Sequence, residues 1–238
     1  MDIEQIKAAL QDADPQQRMR GIRELRNCEA DVASPLLLNH INDDEFLVRS
    51  FVAMGLGRKQ SDKAFEALLL MSQQDKDPNV RAEAANSLSF YGDIAIPHLR
   101  KMYEFDSHWL VRRSIIAAIV DLKCPQELLE ICQIGLAGED EPVMESCISA
   151  LGLLAGSEQA AAALQLLLSF AEDRSWRIRL QVAKSLGRYK DADAFPSSNE
   201  GSNESDSQSL SEKAIAALQK LKSDSDHRVI GAVLESAI

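Results

Sequence analysis

The chain has few aromatic residues, no surplus of positive charge, no closely spaced cysteines and no long apolar run. Each shortage closes off a class of protein. Aromatic residues make up 5% of 238, against 45% hydrophobic residues overall. Apolar content carried by Ala and Leu suits closely packed helices. The formal net charge of −11 argues against a nucleic-acid binder, because phosphates demand a basic face. The four cysteines, Cys28, Cys124, Cys132 and Cys147, include no C-x-x-C pair. No secreted disulfide framework is expected, and a reducing compartment fits best. The longest apolar stretch, A-A-A-A-L-Q-L-L-L at 160–168, is shorter than the roughly 18 residues of a membrane span. The opening M-D-I-E-Q-I-K-A-A-L has neither an apolar signal region nor an Arg-rich transit pattern, so a cytoplasmic location is expected. No alternating strand pattern occurs anywhere.

What the chain does have is a motif that returns about every 31 or 32 residues, with a longer step of 35 from Met144 to Arg179. It reads D-A-D-P-Q-Q-R at 12–18, D-D-E-F-L-V-R at 43–49 and D-K-D-P-N-V-R at 75–81. It returns as D-S-H-W-L-V-R at 106–112 and D-R-S-W-R-I-R at 173–179. Arg18, Arg49, Arg81, Arg112 and Arg179 therefore hold equivalent positions. A fixed period in this range marks a stack of supersecondary units, and a stack presents an extended surface rather than one deep pocket.

After each arginine, apolar residues continue at helical spacing, as in Val80, Ala84 and Leu88 or Val111, Ile115 and Ile119. The preceding Asp falls in the turn, where its carboxylate can hold free amides at a helix start. Gly57, Gly152 and Gly187 come where the second helix should end, as a C-terminal glycine would. A first helix precedes every motif, for example D-K-A-F-E-A-L-L-L-M at 62–71. One unit is degenerate: in G-E-D-E-P-V-M-E-S-C-I-S-A-L-G at 138–152, Met144 takes the arginine position. A last unit, D-S-D-H-R-V-I-G-A-V-L at 224–234, puts Ile230 there. Before it lies D-A-D-A-F-P-S-S-N-E-G-S-N-E-S-D-S-Q-S at 191–209, without Lys or Arg. That composition has too little apolar surface to offset ordering. The expected organisation is a repeat array over 1–192, a disordered acidic insertion over 193–209 and a terminal capping repeat over 210–238.

A helical pair of this length, with Asp in its turn and V-R opening its second helix, resembles the HEAT repeat. The short alanine-rich form is similar to the phycobilisome-lyase type. The resemblance implies an all-α, right-handed α-solenoid of about seven helical pairs. It also implies a protein-binding scaffold or assembly factor in phycobilisome or iron–sulfur protein biogenesis. The client would be a phycobiliprotein subunit or an iron–sulfur scaffold protein on the concave face. The family's other activity is that of a bilin lyase or isomerase subunit. No cofactor is expected of the scaffold; the alternatives imply phycocyanobilin or an iron–sulfur cluster. Met144 and Ile230 depart from the family's arginine pattern.

The candidate partner-binding residues are Phe46, Arg49, Arg81, Trp109, Arg112, Trp176 and Arg179. The arginine row either grips carboxylates of a partner or pairs with the recurring turn aspartates, Asp12, Asp43, Asp75, Asp106, Asp173 and Asp224. Phe46, Trp109 and Trp176 share the position three residues before the arginine. They serve either as binding anchors or as staples of the turn. Cys132 and Cys147 read as small core residues. No catalytic set, metal-ligand run or Gly-rich phosphate loop can be assigned.

Overall fold

The computed structural model describes residues 1–190 and 209–236. The expected insertion, all but its last residue, lies outside the described residues. Among these, every regular element is helical. The first helices of the repeats are α1 (Ile3–Leu10), α3 (Ala30–Leu38), α5 (Asp62–Gln74), α7 (Ile96–Phe105), α9 (Pro125–Leu136), α11 (Ala160–Ser169) and α13 (Leu210–Leu221). The second helices are α2 (Pro15–Glu24), α4 (Phe46–Arg58), α6 (Pro78–Leu88), α8 (Trp109–Leu122), α10 (Glu141–Gly152), α12 (Trp176–Gly187) and α14 (His227–Glu235). Each first helix packs on the second helix of its own pair. The chain forms two compact units, Met1–Leu122 and Lys123–Ile238. Within the first unit α2, α4, α6 and α8 stack in sequence; within the second α10, α12 and α14 do so. This is an all-α solenoid arrangement of helical pairs.

Three rows of side chains make the cores of these stacks. The residue before the arginine position is Val48, Val80, Val111, Val143, Ile178 or Val229, each at most 1% exposed. One turn on come Val52, Ala84, Ile115, Cys147, Val182 and Val233, and after them Leu56, Leu88, Ile119, Leu151 and Leu186, all buried. The i, i+4, i+8 spacing puts the three on one stripe of each helix. Truncating one of the leucines to Ala costs about 2–5 kcal/mol.

The helix starts are set by the turn aspartates. Asp12, Asp43, Asp75, Asp106, Asp173 and Asp224 each accept a hydrogen bond from the amide two residues on, at 2.7–3.0 Å. That side-chain-to-backbone turn substitutes for a peptide hydrogen bond and starts the second helix at a fixed place.

The expected role of three glycines is corrected. Gly57, Gly152 and Gly187 lie inside or at the last residue of α4, α10 and α12, and none has positive φ. Their missing side chains serve packing instead. A Cβ on Gly57 would come within 2.8 Å of Ser87, on Gly152 within 2.9 Å of Ser185, and on Gly187 within 2.7 Å of Ser236. Each glycine thus meets a serine in or just past the next second helix, and the two backbones approach where no larger pair fits. Positive φ is found instead at Gly92 (φ 71°), in the 3-10 segment Ser89–Ala95 that joins α6 to α7, and at Lys123 (φ 56°).

Candidate functional site

Of the two roles open to the arginine row, the structure places four of its members in ion pairs with turn aspartates. Arg18 Nε donates to Asp43 Oδ2 at 2.7 Å and its Nη2 to Oδ1 at 2.8 Å. Arg49 binds Asp75 the same way, at 2.6 and 2.8 Å, and Arg179 binds Asp224 at 2.7 and 2.8 Å. Arg81 Nε reaches Asp106 Oδ2 at 2.6 Å. In each case Nη1 donates to the carbonyl of the repeat's own turn aspartate, at 2.7–3.0 Å. The guanidinium therefore bridges two turns: the carbonyl of its own and the carboxylate of the next. We call this bridge a rung. Arg49 is 4% exposed.

These carboxylates titrate low. Burial alone would raise Asp43 and Asp75, but the guanidinium and backbone amide hydrogen bonds outweigh it, and both lie below the usual carboxylate range. For Asp224 the bond from Arg179 is the largest influence, and its pKa is also lowered.

Two positions break the series. Arg112 donates through Nε to the Asp106 carbonyl at 2.8 Å and lies over the Tyr103 ring, 5.4 Å from its centroid. In the following repeat, Gly138 holds the register position of the receiving aspartate. Met144, in turn, leaves Asp173 without its arginine. There Glu141 of α10 instead accepts a hydrogen bond from the Ser175 hydroxyl and lies 3.9 Å from Arg177.

The aromatic position divides in the same way. Phe46 is half-buried. Trp176 is half-buried, with the Arg228 guanidinium 3.2 Å from its ring centroid and Arg177 at 4.7 Å. That sandwich ties α12 to α14. Trp109 is 41% exposed, stacked on His108 at 5.9 Å with Arg113 on its ring. Cys132 and Cys147 are buried, and the Cys132 thiol donates to the Cys147 carbonyl at 3.6 Å. The adjoining Cys147 and burial push the Cys132 thiol pKa up. Among the described residues, no group of three or more His, Cys, Asp or Glu is placed to hold a metal ion. Nor is any described helix long and apolar enough to cross a membrane.

The open surface lies elsewhere, on a stripe of the second helices that sequence reading passed over. It consists of the residues two before, two after, five after and nine after the rung position. On α2 and its 3-10 extension these are Gln16, Arg20, Arg23 and Asn27; on α4 they are Leu47, Phe51, Met54 and Arg58. On α6 and beyond they are Asn79, Glu83, Asn86 and Phe90, and on α8 Leu110, Ser114, Ala117 and Asp121. In the second unit α10 and the residue after it contribute Pro142, Ser146, Ser149 and Leu153, and α12 and the residue after it contribute Arg177, Gln181, Lys184 and Arg188. None of these residues is buried. Spacings of 4, 3 and 4 residues lie on one helical stripe, so the stack leaves a strip of each of these six second helices uncovered; on α14 the equivalent Ala232 is buried. Numbering from the rung arginine would have exposed it. The signal was the lack of any shared chemistry at these positions, whereas the core and rung positions repeat theirs.

A repeating pair of helices, tied turn to turn and stacked second helix on second helix, defines an α-helical repeat protein. The HEAT-repeat family model matches residues 34–120 and 128–237, and the chain belongs to that family. Among solved structures it is similar to YibA of Escherichia coli, with a TM-score of 0.63 and 18% identity, over 98% of this chain and 80% of that one. It is also similar to a chain in the complex of CpcE and CpcF of phycocyanin lyase from Nostoc sp. The TM-score there is 0.52 at 20% identity, over 99% of this chain and 95% of that one. At these identities the likeness shows the fold alone. No curated protein matches the sequence significantly.

Proposed function

We propose that the protein is a non-catalytic scaffold, acting in the cytoplasm, whose uncovered second-helix strip binds a client protein. The observation that carries this reading is the strip itself. Within each unit its positions stay open on successive second helices, α2 to α8 in the first and α10 to α12 in the second, while the neighbouring core rows are buried apart from Gln17 of α2. The first-unit part of this surface, apolar at Leu47, Phe51 and Met54 and cationic at Arg20, Arg23 and Arg58, has the make-up of a protein interface. Trp109 adds an exposed aromatic anchor from the turn of α8. The rung arginines Arg49, Arg81 and Arg179 contribute by fixing the turns beside it. Four free cysteines, two of them buried, suit a reducing compartment. The family resemblance and the fold shared with a phycocyanin lyase chain favour a phycobiliprotein subunit or an iron–sulfur scaffold protein as client.

The test is a titration of purified candidate clients against the wild type and the exposed-strip double variant Arg20→Asp/Leu47→Asp. At least tenfold weaker binding is expected, with the thermal melt unchanged. Equal affinity in the variant rejects the strip. Covalent transfer of phycocyanobilin to an apo-phycobiliprotein by this chain would replace the scaffold reading with that of a lyase subunit.

A further inference from the structure

The strip is not uniform, and at one place it deepens into a pocket. The sequence M-R-G-I-R-E-L-R-N at 19–27 carries Arg20, Arg23 and Arg26 at steps of three. Helix α2 exposes the first two, and the 3-10 turn Leu25–Asn27 exposes the third. Between this segment and α4 lies a cavity of about 180 Å³. Its floor is apolar and buried: Ile22, Leu25 and Leu37. Phe51 and Met54, both half-buried, form one wall. Arg23, Arg26 and Arg58 stand exposed around the mouth.

Two details hold this shape. Lys59 donates from Nζ to the carbonyls of Arg26, at 2.9 Å, and Cys28, which fixes the 3-10 turn beside α4. Gly55, also in the lining, packs directly on Leu37, where a Cβ would approach Leu37 Cδ2 to 2.9 Å. Among the described residues no carboxylate lies within ion-pair distance of Arg23, Arg26 or Arg58. Glu83 of α6 senses Arg58 across the strip without reaching it. Elsewhere in the first unit the rungs neutralise their guanidinium groups; here three stand ready beside an apolar hole.

We infer that this pocket receives an apolar side chain flanked by carboxylates, from an acidic amphipathic segment of a partner protein. The cavity is well below the roughly 300 Å³ at which drug-sized sites begin, and its volume suits a single Leu, Met or Phe. Guanidinium forks match carboxylates in bidentate geometry. The net charge of −11 narrows the class further. A long polyanion is repelled by the body beyond the cluster, whereas a short acidic motif keeps its charges within about 8–10 Å of the arginines, the screening length at cellular salt. A peptide is therefore favoured over a nucleic acid.

This inference rests on the protein-binding reading but is tested separately. The full chain, labelled with ¹³C-methyl methionine, is titrated with a capped heptapeptide of five glutamates around a central Leu-Leu pair. The Met54 methyl resonance is expected to shift while that of Met144, in the other unit, stays in place. The Arg23→Gln/Arg58→Gln variant, both changes at exposed positions, should weaken the peptide at least tenfold with an unchanged melt. A peptide with Gln in place of Glu should weaken equally. An unmoved Met54 signal, equal binding by the variant or by the Gln peptide, or equal competition by a single-stranded oligonucleotide each overturns the pocket assignment. Clients that bind the strip without disturbing Met54 would sink the pocket and leave the scaffold reading standing. Peptide binding with no client binding would do the reverse.

Discussion

The two compact units build the same stack with different ties. Residues 1–122 carry three successive rungs, Arg18–Asp43, Arg49–Asp75 and Arg81–Asp106. Residues 123–238 carry one among the described residues, Arg179–Asp224, with Met144 and Glu141 where a second would stand. Yet Val143, Cys147 and Leu151 are as buried as their counterparts Val80, Ala84 and Leu88. The apolar rows are therefore sufficient to stack the second helices, by burial worth about 25 cal/mol per Å². The rungs do something narrower: they join the start of each second helix to the next turn. The number of rungs should thus affect turn order more than the existence of the fold.

The strongest way to break this comparison is to remove the most buried rung. In Arg49→Ala, Asp75 keeps a buried carboxylate with its partner gone, and the carbonyl of Asp43 loses its donor. A loss of about 3–5 kcal/mol is expected in urea denaturation, the usual cost of stranding a buried charge. Arg179→Ala, at a more exposed rung, should cost less. Losses below about 1 kcal/mol in both would show that the rungs are ornaments of the turn.

Acid provides the next test. Asp43, Asp75 and Asp224 have lowered folded-state pKa values. The stability they contribute is therefore present above the ordinary carboxylate range and is lost as pH falls through the folded values. Stability should hold from pH 7 to about pH 5 and then drop, by about 1–3 kcal/mol per charge-assisted rung. Hydrogen exchange in acid should show the turns at 43–45 and 75–77 opening before the centres of α4 and α6. An Asp75→Asn variant with an unchanged acid profile would refute the assignment.

The smallest effect comes from sharpening the contrast. Met144→Arg supplies the second unit with its missing rung, placing a guanidinium between the Gly138 carbonyl and the Asp173 carboxylate. A gain of about 1 kcal/mol is expected, read as a higher urea midpoint with the same slope. No gain would mean that the Glu141–Ser175 contact has moved the turn out of register.

The helices were legible in the sequence because three rows of apolar residues and the turn aspartates repeat with fixed spacing. The pairing of Arg49 with Asp75 rather than with Asp43 was not legible. Own-turn and next-turn aspartates are equally consistent with the spacing, and only the stacking distance between α4 and α6 chooses between them. Gly57, Gly152 and Gly187 misled for a related reason: a glycine near a helix end signals a cap in one chain, and here it marks a close contact with the next helix. The candidate site was the least legible part. Leu47, Phe51 and Met54 share a helix with Val48 and Val52, and nothing in their composition separates wall from core. The division follows from which face the neighbouring helix covers.

The uncovered strip and the stack draw on different register positions, and this has an evolutionary consequence. A substitution at most strip positions changes what the surface attracts without touching the rows or rungs that hold the helices together; Phe90, packed beside Gly57, is the exception. Surface substitutions of this kind typically fall within about ±0.5 kcal/mol of neutrality for folding. Descendants of such a chain can therefore exchange one client for another by small steps, each leaving a folded protein. The arrangement of arginines around the pocket at Phe51 and Met54 is a single setting of a strip that can be rewritten one residue at a time.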